Sequence, residues 1–291
     1  MKGFCKGFAL PAAMVAGALS PWAAAWSGGI RWLLMGILLL FFMQLRRDAP
    51  RPRRAHAWLL LANIGMGFAG LGLGWLTGTR DVALGLFFAG IAPTATAAPV
   101  VTAFLRGRAD FVVTGFLVTN AGVALLAPFL FPVILGHVTA GVFLSIVESA
   151  GVTLCAPLAA ACLLRRLLPR AEAWAGRTGA AAFGLWVAAL FLVMASAGDF
   201  LRRQDGLPAW ELAALAAGSL LVCAANFAVG FRLGGREFGR EGSQTLGQKN
   251  TTLMIYLALT HANPLAALGP AFYVIWHNTW NALQLARARR R

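Results

Sequence analysis

Apolar stretches long enough to cross a bilayer recur along this chain, separated by short arginine-rich gaps. A membrane-spanning helix needs about 20 mainly apolar residues. Ten stretches fit that description: 4–20, 28–45, 56–76, 82–105, 111–134, 138–164, 178–197, 209–231, 243–260 and 265–286. They use up most of the 291 residues, so little is left over for an extramembrane domain. Composition agrees: 59% of the residues are hydrophobic and only 12% charged, against about 25% charged in an ordinary soluble domain. A disordered tail, a collagen-like chain and a disulfide-stapled scaffold are excluded. The recurring spans also argue against a single soluble core. The expected fold class is all-α integral membrane, with ten transmembrane helices.

The charge is +15, which by itself could suggest nucleic acid. Its distribution argues otherwise. Alternate gaps hold twenty basic residues: Lys2, Lys6, Arg46, Arg47, Arg51, Arg53, Arg54, Arg106, Arg108, Arg165, Arg166, Arg170, Arg177, Arg232, Arg236, Arg240, Arg287, Arg289, Arg290 and Arg291. The intervening gaps hold four: Arg31, Arg80, Arg202 and Arg203. Such asymmetry marks the cytoplasmic side. It places both termini in the cytoplasm and the chain in an inner or plasma membrane. The partners expected are the lipid bilayer and a small solute, with no nucleic acid, the protein being a monomer or homodimer. Residues 1–26 also resemble a signal peptide, with Lys2 and Lys6 before an apolar run and Ala23, Ala24 and Ala25 at its end. A retained first helix is favoured because it completes a symmetric count. Cys5, Cys155, Cys162 and Cys223 form no CxxC pair. They read as buried free thiols acting as small hydrophobes.

Ten spans divide into five plus five, residues 1–134 and 135–291. An odd number per half puts the halves in opposite orientation, the inverted repeat common in secondary transporters. The fourth span is interrupted by Pro93-Thr94-Ala95-Thr96-Ala97-Ala98-Pro99. The ninth is interrupted by a polar run from Gly242 to Thr252 that holds Ser243, Gln244, Thr245, Gln248, Lys249, Asn250 and Thr251. Backbone groups freed at membrane depth need partners, so such breaks are tolerated where they line a cavity. A pair at matching positions points to a binding site near the midplane. The alternative for the fourth span is a plain proline kink.

Lys249 carries the most information. The only other lysines are Lys2 and Lys6. An ionisable residue inside a span is a functional hypothesis by default. An ammonium is a compact point charge that can give up its proton when buried, unlike a guanidinium. The alternative is a later start to the ninth span, with Lys249 snorkelling to the surface. Glu148 lies midway along the sixth span, while every other acid lies in a gap or at a span end. Glu148 and Lys249 are expected to face one polar cavity, neutralising each other or exchanging a proton. Alternatively, Glu148 stays neutral and bonds a neighbouring helix.

Other candidate binding residues are Asn63, Thr94, Thr96, Thr119, Asn120, His277 and Asn278, with Thr114 and Asn281 nearby in the same spans. His277 and Asn281 share a helix face. Interhelical hydrogen bonding is the competing role for each Asn or His. His277 lacks a second ligand at metal-binding spacing. His261 and Asn263 read as external loop residues, and Gly70, Gly72 and Gly74 as close-packing positions. No GxSxG, HExxH, Walker A or GxGxxG pattern occurs. An enzyme would need a nucleophile or metal cluster, and a sensor would need an output domain. Neither is visible, and transport is favoured.

The motifs around the breaks resemble the bile acid:sodium symporter family. The resemblance runs through Gly90-Ile91-Ala92-Pro93-Thr94-Ala95-Thr96-Ala97-Ala98-Pro99-Val100-Val101-Thr102, Leu105-Arg106-Gly107 and Leu126-Ala127-Pro128. In the second half it runs through Leu246-Gly247-Gln248-Lys249-Asn250, Pro264-Leu265-Ala266-Ala267-Leu268 and Val274-Ile275-Trp276-His277-Asn278. It implies a panel domain and a core domain, each drawing helices from both repeats, with the broken helices 4 and 9 crossing in the core. It also implies alternating access, organic-anion substrates and coupling to sodium. The departures concern the ion sites. Where the family has Ser and Asn in the first break, this chain has Ala98 and Pro99. Where it has Glu and Gln in the second, this chain has Thr245 and Lys249. Oxygen ligands are thus lost, and a positive charge stands where an ion would sit. The coupling ion expected is therefore sodium, weakened or lost, or a proton, with no other cofactor.

Overall fold

The computed structural model describes residues 12–44, 51–136, 140–168, 179–203 and 209–289. Lys2, Cys5, Lys6, Arg46, Arg47, Asp48, Arg170, Glu172, Arg177, Asp205, Arg290 and Arg291 lie outside them, as does much of the signal-like segment. Among the described residues the regular elements are helices. The chain divides into two compact units, each assembled from two separate stretches of sequence.

The first unit comprises Met1–Asp48 and His137–Leu207. After a helical turn over 12–18 comes a 3-10 helix, Pro21–Trp26, and then α1, Gly29–Gln44. Its second stretch holds α6, Ala140–Ile146, a π-helical turn at Val147–Val152, α7, Thr153–Leu167, and α8, Gly179–Arg203. Helix α1 packs on α7 and α8. Arg31, expected in a gap, lies in the first turn of α1.

The second unit comprises Ala49–Gly136 and Pro208–Arg291. Its first stretch holds α2, Arg54–Trp75, α3, Arg80–Ile91, α4, Ala98–Phe104, and α5, Ala109–Leu135. Its second holds α9, Ala209–Gly247, α10, Thr251–His261, and α11, Pro264–Arg289. Helix α9 is two helices joined at an elbow, with non-helical backbone at Gly235 and Phe238. Gly235 takes the left-handed φ of 65° that a side chain would disfavour.

Three described helices are long and apolar enough to cross a membrane: α2, α5 and α9. Shorter apolar helices lie at Gly29–Met43 and Ala180–Ser196. Helices α3 and α10 have 12 and 11 residues. At about 1.5 Å per residue each reaches only about half-way through a bilayer core.

Glycines set how closely helices approach. A Cβ on Gly67, Gly70 or Gly74 of α2 would run into α3 at Ile91, Leu86 or Ala83, and one on Gly90 of α3 would meet Met66. The spacing of 67, 70 and 74 puts them on one helical face. Gly72 is a correction: nothing lies near it, because two residues from Gly70 is the opposite side of the helix. A tight cluster of edge-to-face rings, Phe87, Phe88 and Phe131, fills the α3–α5 contact.

The cysteine expectation is corrected too. Cys223 is buried, but Cys155 and Cys162 are free and exposed on α7. A small apolar side chain is as compatible with lipid as with a core, so hydrophobicity alone does not fix burial. The arginine gap after the eighth span is a tight turn: Arg232, Arg236 and Arg240 lie around the elbow of α9 at Gly235 and Phe238.

Candidate functional site

The site is built where two helices stop. Between α3 and α4 the chain is non-helical from Ala92 to Ala97. Between α9 and α10 only Gln248, Lys249 and Asn250 are non-helical. The second break is therefore shorter than expected. Residues 242–247 remain helical, because their polar side chains find partners inside the unit. Ser243 Oγ donates to the Phe227 carbonyl at 2.9 Å, and Thr245 Oγ1 to the Glu241 carbonyl at 2.8 Å.

The two breaks pair with each other through their backbones. Thr94 and Lys249 form an antiparallel bridge. Ala95 N donates to Gln248 O at 2.8 Å, and Asn250 N donates to Pro93 O at 2.6 Å. Groups freed by each break thus satisfy those freed by the other, the accounting that a buried backbone requires.

Side chains close the remaining gaps. Thr119 Oγ1 donates to Thr94 Oγ1 at 2.8 Å, which donates to the Thr245 carbonyl at 2.6 Å. Thr94 N donates to Thr119 Oγ1 at 3.1 Å, and Asn120 Nδ2 to the Thr94 carbonyl at 3.0 Å. The terminal carbonyl of each half-helix has a side-chain donor. Asn63 Nδ2 reaches Ile91 O at 2.7 Å, and Tyr273 Oη reaches Gly247 O at 2.9 Å. Asn250 caps α10, its Oδ1 accepting from Leu253 N at 3.3 Å.

Lys249 is 1% exposed. Its Nζ donates to Asn63 Oδ1 at 2.5 Å. Through Asn63 the amino group is held beside the C-terminal end of α3, where the helix dipole is negative. Lys249 itself follows the C-terminal end of α9, so a second negative end lies next to it in the chain. The snorkelling alternative does not describe this side chain, which is enclosed by protein.

Several sequence candidates come together here: Asn63, Thr94, Thr119, Asn120, Thr245, Gln248, Lys249, Asn250 and Thr251. Thr96 is half-buried in the first turn of the break, and Ala98 and Pro99 begin α4. Gln248 Nε2 donates to Gln244 Oε1, and Gln244 Nε2 to Gln284 Oε1 at 2.6 Å. His277 is buried beside Tyr273, with ring centroids 5.6 Å apart. Asn278 bonds the Val274 carbonyl of its own helix at 2.8 Å. Asn263, expected in a loop, ties the start of α11 to α3, its Nδ2 donating to Asp81 Oδ1 at 2.7 Å.

Glu148 has an ion-pair partner within its own unit. In the π-helical turn of the first unit its carboxylate lies 3.8 Å from Arg31. The sequence reading missed Arg31 because it assigned that residue to a gap. It also missed Tyr273, Asn226 and Gln284. The signal for Tyr273 was available: the chain has only two tyrosines, and this one lies inside an apolar span.

Paired broken helices closing around a buried lysine, in a chain of apolar helices, are the features of a membrane transport protein. A family model described as "Sodium Bile acid symporter family" matches residues 55–203, just over half of the chain. The chain belongs to the sodium bile acid symporter family, whose members are membrane transporters and not enzymes. No curated protein matches it.

Proposed function

We propose that the protein is a secondary transporter of a small organic anion that works by alternating access and has exchanged sodium coupling for proton coupling. In this reading ten spans form two inverted five-helix repeats, both termini face the cytoplasm, and the second unit is the core domain. That each unit draws on both halves of the chain supports a panel and a core.

One observation carries the reading: Lys249 is buried, hydrogen-bonded to Asn63 and held at the carboxyl end of a half-helix. Unwound carbonyls and half-helix C-termini are where such transporters hold a coupling cation. An ammonium there supplies the positive charge that a sodium ion would bring. Ala98 offers no oxygen to an ion, and the Thr245 hydroxyl is bonded to its own helix. The N-terminus of α10, with Thr251 and Thr252, supplies positive potential for the anion.

Uptake of labelled organic acids into proteoliposomes tests this, with choline replacing sodium. Uptake is expected to persist in choline and to increase with an inward proton gradient. A strict sodium requirement refutes the altered coupling, and absence of counterflow refutes transport. A sodium-independent exchanger is the second reading, favoured if counterflow is seen and neither gradient drives net uptake. The same tethered ammonium supports it, since a fixed charge needs no travelling ion.

A further inference from the structure

Helix α11 carries a buried feature that the pairing of the breaks does not require. Tyr273, His277, Asn281 and Gln284 follow one another at spacings of four, four and three residues, so they share a face. Tyr273 is fully buried, and His277 and Asn281 are 4% and 6% exposed. Helix α9 adds Cys223 and Asn226 from its first half, both beside the Tyr273 hydroxyl. Its second half adds Gln244, and the break that follows adds Gln248. The strip starts next to Lys249 and ends at half-buried Gln284, one turn before exposed Arg287.

Three atoms along it have no protein partner: Asn226 Oδ1, His277 Nδ1 and Asn281 Oδ1. Buried polar atoms are nearly always satisfied, so three on facing helices call for something between them. The Asn226 amide is not misassigned, because its Nδ2 donates to the Val222 carbonyl at 2.9 Å. Water both donates and accepts, and so fits two amide oxygens and an imidazole nitrogen of either tautomer. The strip contains no carboxylate, so a metal cation would find no counter-charge on it. Among the described residues the titratable groups facing Lys249 and His277 are Cys223 from α9 and Tyr273 from α11. Glu241, at the start of the second half of α9, is engaged by the Arg108 backbone N–H at 2.7 Å.

We propose that this strip is a water-filled proton path joining Lys249 to the membrane surface at the Arg287 end of α11. The proposal rests on the proton-coupled reading above and says how the proton travels. Lys249 Nζ gives up one proton and keeps the electron pair. A strip water takes the proton and passes it towards Gln284 along the waters that Asn226 Oδ1, His277 Nδ1 and Asn281 Oδ1 hold in place. The reverse sequence recharges the lysine. No other reactant is consumed.

The test needs no organic substrate. Proteoliposomes on a solid-supported membrane are given a pH jump, and the transient current is recorded. The full chain is expected to give a current that Lys249→Gln abolishes. His277→Phe and Asn281→Leu are each expected to slow its decay by about tenfold or more, while His277→Gln, which can still bond water, stays near the parent rate. A Lys249-dependent current that both apolar variants leave at full speed overturns the path alone. No current in the parent protein, or one that survives Lys249→Gln, overturns the coupling reading and the path with it. Should His277→Phe not fold, Asn226→Leu interrupts the strip at an independent point and is read the same way.

Discussion

The Asn63 side chain holds Lys249 and the end of α3 at the same time. Its Oδ1 accepts from Lys249 Nζ at 2.5 Å, and its Nδ2 donates to Ile91 O at 2.7 Å. Any change in the charge or position of the ammonium is thereby felt at the end of a half-helix. The two broken segments are linked a second time through the Thr94–Lys249 bridge.

Asn63→Leu removes the acceptor from a buried ammonium and the donor from a buried carbonyl. A buried donor left unmet costs about 1–3 kcal/mol, and more where it carries charge. Lys249→Met leaves only a neutral amide oxygen unmet, at about 1–3 kcal/mol. The double variant leaves only the Ile91 carbonyl unmet, so it is expected to be more stable than Asn63→Leu alone. Urea unfolding of the purified protein in detergent measures this double-mutant cycle. Costs that simply add would show that the two side chains are not coupled.

Lys249→Gln removes the charge, keeps an amide that can hydrogen-bond at the position, and leaves Ala98 and Pro99 as they are. It is expected to lose the response of uptake to a proton gradient and to gain no strict sodium dependence. Glu148→Gln is expected to keep the proton response, because Glu148 lies against Arg31 and the ammonium has its own acceptor. A pH profile of uptake for both variants decides the matter. Equal loss of the proton response in the two would restore the original pairing of Glu148 with Lys249.

The helical class, the family and the two interruptions were legible because they are written in composition and local motif. Proline pairs and polar runs inside apolar stretches mark a break wherever they occur. The partners of the breaks were not legible. Lys249 and Asn63 are far apart in sequence, and nothing local distinguishes Asn63 from any other intramembrane asparagine. Arg31 is a similar case: nothing in the local sequence marks it as the residue that lies 3.8 Å from the Glu148 carboxylate. Cys155 and Cys162 show a further limit: lipid and protein interior look alike to an apolar side chain, so exposure had to come from packing.

Tyr273→Phe keeps the ring and removes the donor that meets Gly247 O. That carbonyl closes the second half of α9 and has no helical partner. Leaving it unmet is expected to cost about 1–3 kcal/mol, read as a lower unfolding midpoint. Tyr256→Phe is the control, since that residue is the other tyrosine and lies on α10, where it is only partly buried. A midpoint in Tyr273→Phe no lower than in the control would show that water or another donor serves the Gly247 carbonyl.

Gly70 and Gly72 lie on one helix two residues apart and are expected to respond to alanine with opposite signs. At Gly70 the new methyl group would run into the Leu86 backbone, which cannot swing aside as a side chain can. Helices α2 and α3 would have to separate, at about 1–3 kcal/mol for overpacking. At Gly72 nothing lies within 4 Å. There alanine only restricts the unfolded chain and improves helix propensity, a gain of about 0.5–1 kcal/mol. Helix α3 ends at Ile91, the carbonyl that Asn63 holds, so displacing α3 also disturbs the partner of Lys249. Gly70→Ala is therefore expected to lower both the unfolding temperature and the uptake rate, while Gly72→Ala raises the first and leaves the second unchanged. Thermal unfolding and proteoliposome uptake on the two variants measure this, and a shift of the same sign in both would refute the close approach of α2 and α3 at Gly70.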